Sequence, residues 1–244
     1  CSSINGMIYM RGQARDYDHW ADIIGDDAWR WDQVLQAFRA HEDHYRLDPN
    51  SQEGWSDAQR REFMRLHGSA GDNTNPAHKA FDVPGGEWRV EKQRLRWEIL
   101  DAFAQAAVQA GIPATDDFNR GDNEGVSYFE VNQRSGWRWN TSKAFLRPIR
   151  QRQNLTIWTD AQVKRLLLDQ RGDGSVACTG VELVKGQETI SVHAHKEVVL
   201  CAGAVASPQL LQLSGIGASQ HLQPHGIKIR VELPGVGGNL QDHL

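Results

Sequence analysis

Two short stretches carry residue types from which a ligand site can be built. The first opens the chain, CSSINGMIYMRG (residues 1–12), where two serines, an asparagine and a glycine precede a run of large side chains. The second is VVLCAGAVASPQLLQLSGIG (198–217), where an apolar run leads into small residues and then a helical pattern. Small residues let another group come close to the backbone. A helix start offers free N–H groups and the positive end of a dipole. Strand, small-residue turn and helix is a common way to hold a nucleotide, although the same features also suit a plain packing unit.

The histidines carry less. HEDH places His41 and His44 at i, i+3 with Glu42 and Asp43 between them, a spacing that can bind a metal. A solvated helix face explains it more simply, so no metal site is expected. His193 and His195 fall on one face of a strand by alternation and read as a surface pair. No serine–histidine–acid set, Walker-type phosphate loop or G-x-G-x-x-G motif occurs.

The elements that must position these stretches follow from periodicity. Residues 16–24 read as a short helix with Asp16 or Asp18 as cap, and 31–45 as a clearer one with Val34, Leu35, Phe38 and Tyr45 recurring at helical spacing. Residues 47–86 are polar and rich in Gly, Asn, Asp and Pro, and read as a long irregular stretch. A helix is predicted over 91–110, with a stripe of Leu95, Ile99, Ala102, Phe103 and Ala106 that Gly111 and Pro113 bring to an end. Residues 125–133 read as a strand whose alternation puts Tyr128, Glu130 and Asn132 on one face, and 140–146 as a short helix.

From 154 the texture becomes β-rich, with turns such as RGDG between strands. A helix then follows, with Ser207 as its cap, Pro208 at its first position and Gly215 at its end. A last strand and a glycine-rich loop close the sequence.

The bulk numbers exclude several classes of function. The chain has 244 residues, 39% hydrophobic and 24% charged, which suits a globular protein with a sizeable core. Its net charge is −4, from 27 basic and 31 acidic residues, so nothing draws it to nucleic acid or anionic lipid. No apolar run reaches the ~18 residues of a membrane span. Cys1, Cys178 and Cys201 are too few and too scattered for a disulfide framework, which suits a reducing compartment. Most of the nine tryptophans read as packing residues.

The specific strings say more. GAVASPQLLQLSGIG resembles the second signature of the glucose–methanol–choline (GMC) oxidoreductases, FAD-dependent alcohol oxidases and dehydrogenases, through Gly203, Ser207, Pro208, Leu210, Leu211, Ser214, Gly215 and Gly217. The opening stretch resembles their first signature, and LPGVGGNLQDHL a third family segment. NLTIWTDAQVKRLLL is similar to the strand pair that reaches the adenine. These matches run in order along the whole chain, and the likeness is strongest to the choline dehydrogenase-like bacterial branch.

The resemblance implies a mixed α/β fold: part of a Rossmann-like FAD-binding domain, and an antiparallel-sheet substrate domain with helices. Residues 1–25 and 151–244 then belong to the FAD-binding domain, and 26–150 mainly to the substrate or cap domain. It implies FAD contacts at Cys1, Asn5, Gly6 and Ile8, with Met7 as a backbone neighbour. Gly6 lets the ring come near without a Cβ in the way, and Asn5 tolerates unusual backbone angles. Val163 matches the position that pairs with adenine through its backbone. Gly203 and Ala204 match the turn beneath the dinucleotide, and Asp242 and His243 lie near the cofactor. Tyr128 and Glu130 align with the substrate pocket.

The implied reaction is oxidation of a primary alcohol to an aldehyde by hydride transfer to flavin N5, with oxygen or a quinone-like carrier as electron acceptor. The enzyme is expected in the cytoplasm, or held at a membrane through that acceptor. The family's catalytic histidine has no match here, and neither has its opening G-x-G-x-x-G unit. The chain therefore reads as the middle segment of a longer enzyme, inactive alone, whose partners are the remaining segments. The alternatives are a flavin-free binding module and an FAD-containing hydroxynitrile lyase.

Overall fold

The computed structural model describes residues 2–68 and 86–241. Cys1, Asp242 and His243, and most of the later half of the expected irregular stretch, lie outside the described residues. The fold is mixed: helices with small sheets. The chain divides into two compact units, Cys1–Leu155 and Thr156–Leu244.

In the first unit, α1 (Ala14–Ile24) stops at Gly25, which turns left-handed at φ 72° and returns its N–H to Ala21 O. α2 (Trp31–His41) buries Trp31 and Leu35 against Leu66, with Ala14, Tyr17 and Phe38 packed around them. Helical periodicity predicts that α2 continues to Tyr45, but it ends at His41. The next three residues form β1 (Glu42–His44), which pairs in parallel with β2 (Trp88–Val90). Two features end the helix. Glu42 and His44 are buried at 0% and 1% exposure and need ionic partners from other elements. Gly86 also crosses so closely that a Cβ there would lie 1.9 Å from the His41 carbonyl carbon. HEDH is therefore not a solvated helix face.

The stretch after Leu47 is less irregular than its composition suggests. α3 (Asp57–His67) starts at a capping box between Ser56 and Gln59. Phe63, Leu66 and His67 form its buried face. α4 runs Glu98–Gln109, seven residues shorter at its start than periodicity predicts. The backbone at Glu91 is taken instead by Val131, through reciprocal hydrogen bonds of 2.8 and 2.9 Å. The expected strand over 125–133 is extended chain held by isolated bridges from Val126 to Ala114 and from Val131 to Ile8 and Glu91. Regular pairing begins only at the hairpin of β3 (Gln133–Arg134) and β4 (Trp137–Arg138). The expected helix at 140–146 is one π-turn, Ser142–Leu146.

The second unit is built on an antiparallel meander of β5 (Ala161–Gln170), β6 (Val176–Lys185) and β7 (Glu188–His193). α5 (Gly203–Leu213) packs on β5, and the Ser214 hydroxyl accepts from Leu166 N at 2.8 Å. α5 begins four residues before Ser207, so Ser207 is not its cap and Pro208 lies inside the helix. Proline has no N–H, so the bond that would run to Ala204 O is lost. β8 (Ile216–Gly217) and β9 (Val231–Glu232), which flank the short α6 (Ser219–Leu222) in sequence, pair in parallel. The apolar run 198–201 forms no strand. It has no ladder partner among the described residues, and Val199 is 73% exposed.

Candidate functional site

The opening stretch works through its two faces. From Ile8 to Arg11 the chain is extended and runs antiparallel to 130–132, with Tyr9 N donating to Glu130 O at 2.8 Å and Asn132 N to Met7 O at 2.7 Å. Side chains alternate along such a segment. Tyr9 and Arg11 point inward and are buried, while Gly6, Ile8 and Met10 face out. The spacing of the tyrosine and the arginine is therefore the spacing of one face.

That inner face enters a buried ionic network. Arg11 Nη2 donates to Glu42 Oε2 at 2.6 Å, and Tyr9 Oη donates to the same carboxylate. Arg11 also reaches the carbonyls of Leu66 at 2.9 Å and Asn119 at 3.2 Å. His67, at the end of α3, sits between two carboxylates: Nδ1 lies 2.6 Å from Glu42 Oε1, and Nε2 lies 2.8 Å from Asp117 Oδ2. Burial alone would lower the pKa of His67. The hydrogen bonds to Asp117 and Glu42 outweigh it and raise that pKa, so the imidazolium is favoured. Its proton on Nδ1 goes to Glu42. Arg11 Nη2, 3.2 Å from the same nitrogen, is then a neighbour and not a partner.

His44 is different. Burial pushes its pKa down, against the pull of Glu130. Its Nε2 donates to Glu130 Oε2 at 3.0 Å, and its Nδ1 accepts from Arg46 N at 3.2 Å, which is the neutral tautomer. Arg46 Nη2 donates to the other oxygen of Glu130 at 2.6 Å. The carboxyl of Glu42, despite its burial, is drawn down to about 2 by His67 and Arg11. Asp117 is drawn down by His67 and Glu130 by His44, each against burial. Arg11, Arg46 and the His67 imidazolium thus balance Glu42, Asp117 and Glu130.

The ligand atoms of Glu42, His44 and His67 lie within 4.8 Å of one another, close enough to surround a metal ion. Each is already engaged, and a dication would have to displace Arg11 and the His67 proton. The cluster is built as an ion network.

The outer face borders a cleft of about 430 Å³, walled by Gly6, Ile8, Trp97, Phe103, Tyr128 and Phe129. That size suits a small-molecule site. A Cβ at Gly6 would meet nothing nearer than Ile8 Cγ1 at 4.0 Å, so the glycine leaves an open patch beside the cleft. The unusual backbone falls one residue later than Asn5 and Gly6, on Met7 at φ 64°. Asn5 Oδ1 caps that turn by accepting from Met7 N at 3.0 Å. The arrangement fits a flat ring laid on Gly6 against apolar walls.

Tyr128 contributes its ring to the cleft, while its hydroxyl lies 3.0 Å from Asp101 Oδ1 and 3.3 Å from Trp97 O. Glu130 does not line this cleft. With Tyr128, Tyr45, Trp55 and Arg96 it lines a second one of about 540 Å³, its carboxylate held by Arg46 and His44.

In the second unit Val163 lies half-buried on β5, opposite Leu183 and beside a bulge. Gly203 starts α5 at φ 93° with nothing within 4 Å of its Cβ position, again leaving open space over a backbone turn. Ala204 lines a cavity of about 430 Å³ together with Val205, Pro208, Gln212, Gly237 and Leu240.

The sequence alone did not point to His67, Asp117, Asn119 or Arg138. Each is set by tertiary contact. The signal that was available is the alternation of Tyr9 and Arg11, which requires buried partners for a charge.

A family model described as GMC oxidoreductase matches residues 1–244. An oxygen-dependent choline dehydrogenase from Photobacterium profundum is 37% identical over 243 residues, which cover 100% of this chain and 37% of that protein. Among solved structures, pyridoxine 4-oxidase from Mesorbium loti superposes with a TM-score of 0.74 at 30% identity, over 96% of this chain and 39% of that one. An FAD-dependent oxidoreductase from Chaetomium thermophilum gives a TM-score of 0.74 at 25% identity, over 96% of this chain and 37% of that one. The chain thus spans somewhat over a third of the length of the proteins it matches.

Proposed function

Since the chain belongs to the GMC oxidoreductase family, we propose that this protein acts in the oxidation of a primary alcohol to the aldehyde, with FAD as cofactor. When bound, FAD supplies the acceptor for the hydride that leaves the alcohol carbon. The observation that carries the reading is the placement of Gly6 and Ile8 in the same apolar cleft as Tyr128.

This chain's part is to bind, orient and exclude water. Gly6 allows a planar ring to approach the backbone. Trp97, Phe103, Tyr128 and Phe129 supply a low-polarity wall, in which charge transfer competes less with water. Cys1, Asn5, Met7 and Ile8 extend the ring contact, and Val163, Gly203 and Ala204 contribute to the rest of the dinucleotide. Tyr128 and Glu130 belong to the substrate side, Glu130 through the orientation of Arg46. His44 and His67 do not serve as the proton acceptor, because both nitrogens of each ring are already committed. Oxygen or a quinone-like carrier takes up the electrons. No helix among the described residues is long and apolar enough to cross a membrane.

The test is optical. The purified holoprotein should absorb near ~450 nm through its isoalloxazine ring, and a primary alcohol should bleach that band under anaerobic conditions. A colourless protein that takes up no added FAD sinks the reading. A yellow protein that no primary alcohol bleaches sinks the redox half of it.

A further inference from the structure

Arg138, on β4, reaches back 133 residues in sequence to grip the opening turn. Its Nη2 donates to Asn5 O at 2.7 Å, and its Nη1 donates to Asn5 Oδ1 and to Ser2 O. The surrounding contacts fix the same junction. Lys143 Nζ donates to Arg138 O at 2.7 Å, and Thr141 N donates to Ser2 Oγ at 3.1 Å. A planar guanidinium holding three oxygens is a rigid fork, unlike a lysine at the same place.

The consequence lies in the Asn5 amide. Its oxygen accepts from two groups, Arg138 and Met7 N, neither of which can accept a hydrogen bond. Chemistry therefore fixes which end is Oδ1. The Nδ2 end is left as a donor with no partner among the described residues, one residue from the open patch at Gly6 and the cleft. Asn5 also holds Met7 in its left-handed turn, so one guanidinium sets both the amide and the backbone that follows it.

We propose that Arg138 is a positioning residue for the cofactor: it locks the Asn5 side chain so that Nδ2 donates to an acceptor atom on the flavin ring. This rests on the flavin reading above. Arg138 itself need not touch the flavin. A flexible asparagine would have to be ordered each time the cofactor binds, and the arginine meets that ordering cost in advance.

The test uses the holoprotein with the variants Arg138→Ala, Asn5→Ala, the double variant, and Asn5→Asp. The readouts are the flavin dissociation constant, the shape of the visible flavin band, and the thermal midpoint of the apoprotein. Each alanine variant should weaken flavin binding about tenfold, the worth of one good hydrogen bond. The double variant should be no weaker than the worse single one, because both remove the same donor. Asn5→Asp keeps two oxygens for Arg138 and Met7 but loses the Nδ2 donor. It should leave the midpoint in place while weakening flavin binding and altering the band.

Additive losses in the double variant, or an Arg138→Ala protein with unchanged affinity and band, would overturn the proposal. If Arg138→Ala does not fold, Arg138→Lys, which keeps the charge but not the planar fork, decides instead, and unchanged flavin affinity and band there overturn it. A parent protein that takes up no FAD refutes the flavin reading, and this proposal with it. A parent that binds FAD while the variants behave like it refutes the roles of Arg138 and the Asn5 amide and leaves the flavin reading standing.

Discussion

Arg11 and Glu42 form an ion pair of 2.6 Å in which neither side chain has any exposed surface. The two residues belong to the opening stretch and to β1, and each has further partners that cannot be met by water. Removing one partner of such a pair strands the other in a low-dielectric interior. Glu42→Ala leaves both Arg11 and His67 without their shared carboxylate. We expect a loss of about 3–5 kcal/mol, the usual cost of breaking a buried pair, read from urea unfolding. A loss within the ordinary surface range would show that water or rearrangement replaces the carboxylate.

The two buried histidines should give opposite pH dependences. His67 has a raised pKa, so its contribution is fully present below the unfolded value of about 6.5 and is lost as pH rises through the folded value. His44 has a lowered pKa, so its neutral form favours the fold above about 6.5, and that contribution is lost as pH falls. Unfolding free energies from pH 5 to 9 test this. The gap between the parent and His67→Gln should narrow as pH rises, and the gap to His44→Gln should narrow as pH falls. Two gaps that move in the same direction would contradict the assigned charge states.

The start of α3 gives a local test. Ser56 accepts from Gln59 N at 3.3 Å, and Gln59 Oε1 accepts from Ser56 N at 2.9 Å. Ser56→Ala should cost about 1 kcal/mol in thermal or urea unfolding. Ser56 lies at the opposite end of α3 from His67, so the loss should be the same at acid and alkaline pH. A variant as stable as the parent would mean that the cap is satisfied by water.

What was legible in the sequence depended on whether the deciding contact was local. The end of α1 and the three-stranded meander were legible from periodicity and turn residues, which act over a few positions, whereas α1 starts at Ala14 and neither Asp16 nor Asp18 caps it. The capping box of α3, S-x-x-Q before Phe63 and Leu66, was also present but was masked by the polar composition around it. The conversion of Glu42–His44 to a strand was not legible. It depends on Arg11, Glu130 and the crossing at Gly86, and tertiary demand of that kind overrides helical preference. At the candidate site, the family strings pointed to Gly6 and Ile8 and the alignment of 125–133 to Tyr128; that the three line one cleft is a finding of the structure. Arg138 was not legible, since nothing in GWRWN indicates a fork aimed at residue 5.

Two glycines separate a structural constraint from a functional one. At Gly86 an added Cβ would fall 1.9 Å from the His41 carbonyl carbon, so backbone must move. Gly86→Ala should therefore destabilise by about 3 kcal/mol, the upper end for overpacking. At Gly6 the same addition meets open space, and the backbone is not left-handed. Gly6→Val should leave the unfolding free energy within about 0.5 kcal/mol, as at other exposed positions. Its side chain would nevertheless project beside the cleft where a ring is proposed to lie, so flavin affinity should fall at least about tenfold, the equivalent of about 1.4 kcal/mol. Melting curves and flavin titrations on the two variants form a crossed comparison: stability lost at Gly86, binding lost at Gly6. If Gly6→Val binds FAD as the parent does, the ring does not lie on this patch, and the opening stretch would serve the fold alone through Tyr9 and Arg11.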